Sequence, residues 1–139
     1  MSELDDLRAG LDASRTALLE AVRALTERDF AAPLSEDETV VDALAALARG
    51  EREAVHAARA AAGAPPRPLP AGKAVAGRPL PPQVVHDLAG ARYETELLLD
   101  WLAEAATVPS EAVRSALGGI EARESAVAAR IADRERTDA

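Results

Sequence analysis

The chain predicts an all-α fold, a four-helix bundle, and three observations carry that reading. Apolar residues recur at three- and four-residue spacing through four long segments. No run rich in Val, Ile, Thr and aromatics alternates with a period of two, so strands are not expected. A nineteen-residue stretch from Gly63 to Pro81, GAPPRPLPAGKAVAGRPLP, holds six of the nine prolines and divides the four segments into two pairs.

The first helix is expected over about 2–28. Ser2 suits an N-cap, and Glu3, Asp5 and Asp6 favour the positive end of the helix dipole. Leu4, Leu7, Leu11, Leu18, Val22 and Leu25 form its apolar stripe, which Ser14 interrupts. Phe30 and Pro33 close it, and a polar connection leads to about Glu38. The second helix is expected over about 40–62, where Thr39 and Asp42 make a capping-box start. Its seam reads Val40, Leu44, Leu47, Glu51, Ala54 or Val55, and Ala58. Gly63 followed by Pro65 is a stop signal. After the strap, prolines at a tolerated position open a third helix over about 82–106. Its stripe is Val84 or Val85, Leu88, Ala91, Thr95, Leu98 or Leu99, Leu102 and Ala105. Ser110 caps a fourth helix over about 111–134, with the seam Val113, Leu117, Ile120, Glu124, Val127 and Ile131. Gly118-Gly119 predicts a kink or break there, and the final RERTDA predicts fraying. No internal repeat is evident beyond the two hairpins.

Strap length selects the topology. Extended proline-rich backbone rises about 3.1 Å per residue, so residues 63–81 reach roughly 55–60 Å. The second helix is only about 35 Å long. The strap therefore has the length to run back along the bundle, which favours an up-down-down-up arrangement of one domain over 1–139. A plain up-down-up-down bundle with a loose middle loop is the alternative.

Composition bounds the function. With 48% hydrophobic but only 2% aromatic residues, the core is alanine- and leucine-rich. The net charge of −8 and pI near 4.8 disfavour nucleic acid and anionic membrane surfaces as partners. The absence of cysteine removes disulfides, thiolate metal sites and a cysteine nucleophile. The start, MSELDDLRAG, lacks the basic and apolar regions of a signal peptide. A cytoplasmic location is the expectation, and the abundance of Ala and Arg suggests a bacterial source.

Few residues offer chemistry. Glu51 and Glu124 fall at core-phase positions near the middle of the second and fourth helices, at similar depth. A buried carboxylate must be paired, metal-bound or protonated. Two readings stand: a polar pocket inside the bundle, or glutamates at the edges of narrow seams, paired with Arg123 or Arg92. The candidate pocket residues are Glu51, His56, Arg92 and Arg123. Glu53 and His56 form one Glu-x-x-His, whereas dimetal bundles use two such motifs and two further glutamates. His56 and His86 are the only histidines, so a His-rich metal site within one subunit is excluded. No nucleophile elbow or phosphate loop is present. Trp101 reads as packing.

The first hairpin, LLEAVRALTERDFAAPLSEDETVVDALAALARGEREAV, resembles the DinB/YfiT-like superfamily. Members carry a leucine and acidic stretch followed by a proline, then a W-[ST]-V-x-D-x-L-x-H-L segment. Thr39, Val40, Asp42, Leu44 and Leu47 match the non-histidine positions of that segment, and Glu51 or its neighbour takes a later acidic place. VVHDLAGARYETELLLDWLAEA and ARESAVAARIADR resemble the last two helices. The resemblance implies the up-down-down-up bundle, a homodimer through helix faces, and a three-histidine metal site supporting thiol-dependent transferase or isomerase chemistry. Here the ligand positions fall on Ala46, Arg123 and Val127, or, shifted by one on the last helix, on Glu124 and Ala128. These side chains do not supply the imidazoles such a site uses.

The expectation is therefore a DinB-like module without metal or other cofactor. It binds a small apolar molecule or a partner, and leans away from catalysis. The alternative is a transferase- or isomerase-like enzyme using Glu51 and Glu124 as acid and base in the bundle interior. A third reading makes the proline-rich strap a docking segment for a partner.

Overall fold

A computed structural model describes residues 2–68, 80–106 and 108–138, with side chains to Arg134. Its elements in chain order are α1 (Glu3–Arg23), α2 (Glu27–Phe30), β1 (Pro33–Ser35), β2 (Glu38–Thr39), α3 (Val40–Ala62), α4 (Pro81–Glu104) and α5 (Glu111–Asp138).

Local capping chemistry sets most of these limits. Ser2 accepts from the Asp5 amide at 3.1 Å while the Asp5 carboxylate reaches back to the Ser2 amide, starting α1 with a full capping box. The first helix ends earlier than its apolar spacing predicts. Thr26 and Asp29 form a second capping box, so a fresh helical turn, α2, begins where continuation was expected. The connection that follows is a two-stranded antiparallel hairpin pairing Pro33 with Thr39, which corrects the expectation of no strand. It is too short to show the alternation that identifies strands in sequence. Thr39 and Asp42 start α3 as its sequence implies. Gly63 ends it at φ 72°, in the left-handed region, and the Ala64 amide donates to the Arg59 carbonyl at 3.0 Å. In α5 the Gly118-Gly119 pair causes no break. Helix packing on both sides of the pair outweighs its weak helix propensity, since Leu117 and Ile120 are both buried.

Ion pairs fix the helix directions. Glu3 meets Arg114 at one end of α1, and Asp29, just beyond its other end, meets Arg134, so α1 and α5 run the same way. Glu51 meets Arg92 in the middle, and Val40 and Val84 share one apolar cluster while Ala58 and Leu102 share another, so α3 and α4 also run together. Arg8 meets Asp100 while Arg15 reaches the Leu88 carbonyl, which sets α1 against α4. The bundle is up-down-down-up. A parallel α3 and α4 require the intervening chain to return along the bundle length, which is the task the strap's length suits. Residues 69–79 of that strap lie outside the described residues.

Neighbours in the chain are not always partners in the bundle. α1 packs along α5, and α3 packs along both α4 and α5, while α1 and α4 meet more sparsely. The core is divided. One apolar cluster joins Leu18, Val22, Val40, Leu44, Leu88 and Ile131. The other joins Leu11, Val55, Leu98, Leu102, Leu117 and Ile120, with half-buried Trp101 packed against it. Each fully buried leucine or isoleucine contributes about 1.5–3 kcal/mol. Between the two clusters lies a polar layer.

Candidate functional site

Each of the four long helices contributes one charged side chain to that layer: Arg15 from α1, Glu51 from α3, Arg92 from α4 and Glu124 from α5. Glu51 is 2% exposed and Glu124 1% exposed. The edge position of the narrow-seam reading is thereby overturned, while its pairing with Arg92 holds. Both project between the apolar clusters because they occupy the same helical phase as the buried leucines around them.

Every carboxylate oxygen has a donor. Arg15 Nη2 donates to Glu51 Oε1 at 2.9 Å, and Arg15 Nε to Glu124 Oε2 at 2.5 Å. Arg92 Nε donates to Glu51 Oε2 at 2.8 Å, and Arg92 Nη2 to Glu124 Oε1 at 2.5 Å. The Thr95 hydroxyl donates to Glu51 Oε2 at 2.5 Å, and the Ser14 hydroxyl to Glu124 Oε1 at 2.9 Å. The remaining guanidinium nitrogens reach backbone: Arg15 Nη1 to the Leu88 carbonyl at 3.2 Å, Arg92 Nη1 to the Leu11 carbonyl at 3.1 Å. Two positive and two negative charges cancel. Burial pushes the Arg92 guanidinium down, but its hydrogen bonds and charge contacts with Glu51 and Glu124 outweigh this and hold it above its ordinary value. Such a network is tolerable in a low-dielectric interior because each ion is both neutralised and hydrogen-bonded.

The arrangement is reciprocal. Exchanging the N-terminal half for the C-terminal half swaps Arg15 with Arg92, Glu51 with Glu124 and Leu11 with Leu88, and every arginine contact just given maps onto its counterpart, whereas the Ser14 and Thr95 hydroxyls do not correspond. The sequence carries the trace. Val40, Ala43, Leu44, Leu47 and Glu51 read V-x-x-A-L-x-x-L-x-x-x-E, and Val113, Ala116, Leu117, Ile120 and Glu124 read V-x-x-A-L-x-x-I-x-x-x-E. Leu11 precedes Arg15 by four residues, as Leu88 precedes Arg92. This internal repeat went unrecognised in the sequence because its matches are sparse and lie on common helix-forming residues.

The predicted pocket residues do not form one site. Glu51 and Arg92 are joined. Arg123 is exposed and lies over α3 near Gly50. His56 is exposed and lines a separate small cavity with Arg52, Val55, Arg59, Arg67, Pro68 and Glu94. Arg15 and Ser14 were missed as site residues. Ser14 interrupting an apolar stripe was the available signal. A polar cleft of about 80 Å³ between α1 and α4, lined by Arg8, Leu11, Asp12, Arg92, Glu96 and Leu99, reaches the flank of the network at Arg92.

The donor chemistry does not fit a three-histidine metal centre. Ala46 is half-buried, Arg123 exposed and Val127 buried, and none of the three carries an imidazole. Glu124 and Ala128, one residue on, are both buried, but the Glu124 oxygens are taken by Arg15, Arg92 and Ser14. Among the described residues no group of three or more His, Asp or Glu side chains is placed to hold a metal ion, and no described helix is long and apolar enough to cross a membrane. The class this defines is an up-down-down-up four-helix bundle with a central ion network. Comparison with protein-family models, with curated proteins and with solved structures found no match.

Proposed function

We propose that this chain is a DinB/YfiT-like bundle in which the Arg15–Glu51–Arg92–Glu124 network takes the place of a metal centre, and that it acts as a non-catalytic, small-molecule-binding or interaction module. The observation that supports this reading is the complete pairing of Glu51 and Glu124. A general acid or base must have an oxygen free to exchange a proton with substrate. All four oxygens here are engaged by guanidinium groups and hydroxyls. The enzyme alternative on these two glutamates therefore requires the network to open first. The Thr39–Asp42 start of α3 and the parallel pairing of α3 with α4 support the family likeness.

The reading is tested by the metal content and stability of protein purified without a histidine tag. Less than a tenth of an equivalent of zinc or nickel is expected (roughly the level of adventitious binding to a site without imidazoles), with an unfolding midpoint indifferent to chelator. Stoichiometric metal, or a chelator-sensitive midpoint, refutes it. The proposed homodimer is checked by sedimentation. Leu19 and Val85, 38% and 39% exposed on α1 and α4, mark the face on which a glutamate substitution is expected to dissociate it.

A further inference from the structure

Arg59 sits at the end of α3 and is only 6% exposed, yet its Nε has no hydrogen-bond partner. Its Nη1 donates to the Pro65 carbonyl at 3.1 Å. No carboxylate among the described residues pairs with it. Burial pushes the guanidinium below its ordinary value, and the charge of Arg67 adds to that, opposed only by Glu94. Glu94 is itself committed, accepting from Arg67 Nε at 2.6 Å and from Arg67 Nη2 at 2.9 Å. A buried cation with an orphan donor is a costly feature, and in a settled structure it asks for a partner.

The surroundings supply a place for one. Arg59 lines the small cavity that also borders Arg52, His56, Arg67, Pro68 and Glu94, with a volume of about 20 Å³. Three arginines against one glutamate leave this cavity with an excess of positive charge, in a chain whose net charge is −8. Arg52 is held at its edge over the backbone of Gly90: a Cβ there would meet Arg52 Nη2 at 2.6 Å. Glycine at 90 leaves room for the tip of that guanidinium against α4.

We infer that this cavity, between α3, α4 and the chain just after Gly63, binds the oxyanion head of a small ligand, a carboxylate or a phosphate. The space admits one or two oxygens, enough for an anionic head but not for a ligand body. The body would lie outside along His56 and Pro68, both exposed. Planar guanidinium donors match carboxylate and phosphate oxygens well. This deepens the proposed binding role and rests on it.

The test follows the arginine side-chain Nε–Hε resonances of the full chain by nitrogen-15 NMR. Inorganic phosphate and acetate are titrated separately, with sodium chloride at matched ionic strength as the control. A saturable shift of the Arg59 resonance with either anion is expected, and the tighter of the two names the head group. Arg59→Met is expected to abolish saturable binding, read on the Arg52 resonance. Arg52→Gln, at a half-buried position that leaves Arg59 in place, is expected to weaken binding about tenfold, the loss of one charge-assisted bond. A response no greater than that to chloride, or one that survives Arg59→Met, overturns the site. Failure here leaves the metal-content result for the bundle interior standing, so the two readings fail separately.

Discussion

Two regions of this molecule handle buried arginine in opposite ways. At the centre, Arg15 and Arg92 face Glu51 and Glu124, and charge and hydrogen bonding both close within the chain. At the end of α3, Arg59 is as buried as Arg92 but has no carboxylate of its own among the described residues. Under the binding role proposed above, the difference separates architecture from binding. A network that satisfies itself fixes how four helices sit together and asks nothing of a ligand. A buried cation left short of a partner keeps a donor unsatisfied, and Arg59 borders a small cavity.

The strongest way to break this contrast is to remove one member of the central network. Arg92→Met leaves Glu51 and Glu124 each with one guanidinium fewer, and a loss of about 3–5 kcal/mol is expected in equilibrium unfolding. Replacing Arg15, Glu51, Arg92 and Glu124 together with Met and Leu is expected to recover most of that loss, because no buried charge is then orphaned. A fourfold variant less stable than Arg92→Met would show that the network contributes net stability rather than orientation.

Glu51→Gln and Glu124→Gln sharpen the reciprocity. Each keeps size but loses a charge facing two arginines, and each is expected to cost about 1.5–3 kcal/mol. The two are expected to agree closely, since each carboxylate has the same set of partners. A large inequality would end the internal-repeat argument.

Thr95→Val removes one hydroxyl donor from Glu51 and is expected to cost about 1–2 kcal/mol, with Ser14→Ala similar on the Glu124 side. At the α3 end the expectation reverses. Arg59→Met is expected to leave the free protein unchanged or more stable by up to about 1 kcal/mol, because an unpaired buried charge is removed. A loss of 3 kcal/mol or more, as expected for Arg92, would erase the distinction between the two regions.

The smallest effect is acid dependence. Hydrogen bonds from Arg67, with its charge, hold the Glu94 carboxylate below the ordinary value of 4.5 despite partial burial. Its contribution is present above that pH and is lost as pH falls through the lower folded value. Glu94→Gln is expected to remove this acid-side slope. For a pair this exposed the change is under about 1 kcal/mol, and it should shrink further in high salt.

Much of the fold was legible because it is local. The Ser2, Thr39 and Ser110 caps, the Gly63 stop and the apolar stripes are written in residues three or four apart, and α3 spans the residues its pattern implies. The early end of α1 was misread because Thr26 and Asp29 compete with a continuing apolar stripe, and only packing decides between them. The β1–β2 hairpin escaped because five residues carry no periodicity.

By itself, then, the sequence determined four amphipathic helices, most of their ends, the strap between pairs and the anomaly of two glutamates in apolar phase. Tertiary structure alone decided that Arg15 rather than Arg123 joins Arg92 between those glutamates, that α1 lies along α5, and that Arg59 is left without a carboxylate. The physical reason is range. Helix formation and capping are settled over one or two turns. Which charges meet depends on the rotation and axial register of helices whose contacting residues lie up to 111 positions apart in the chain.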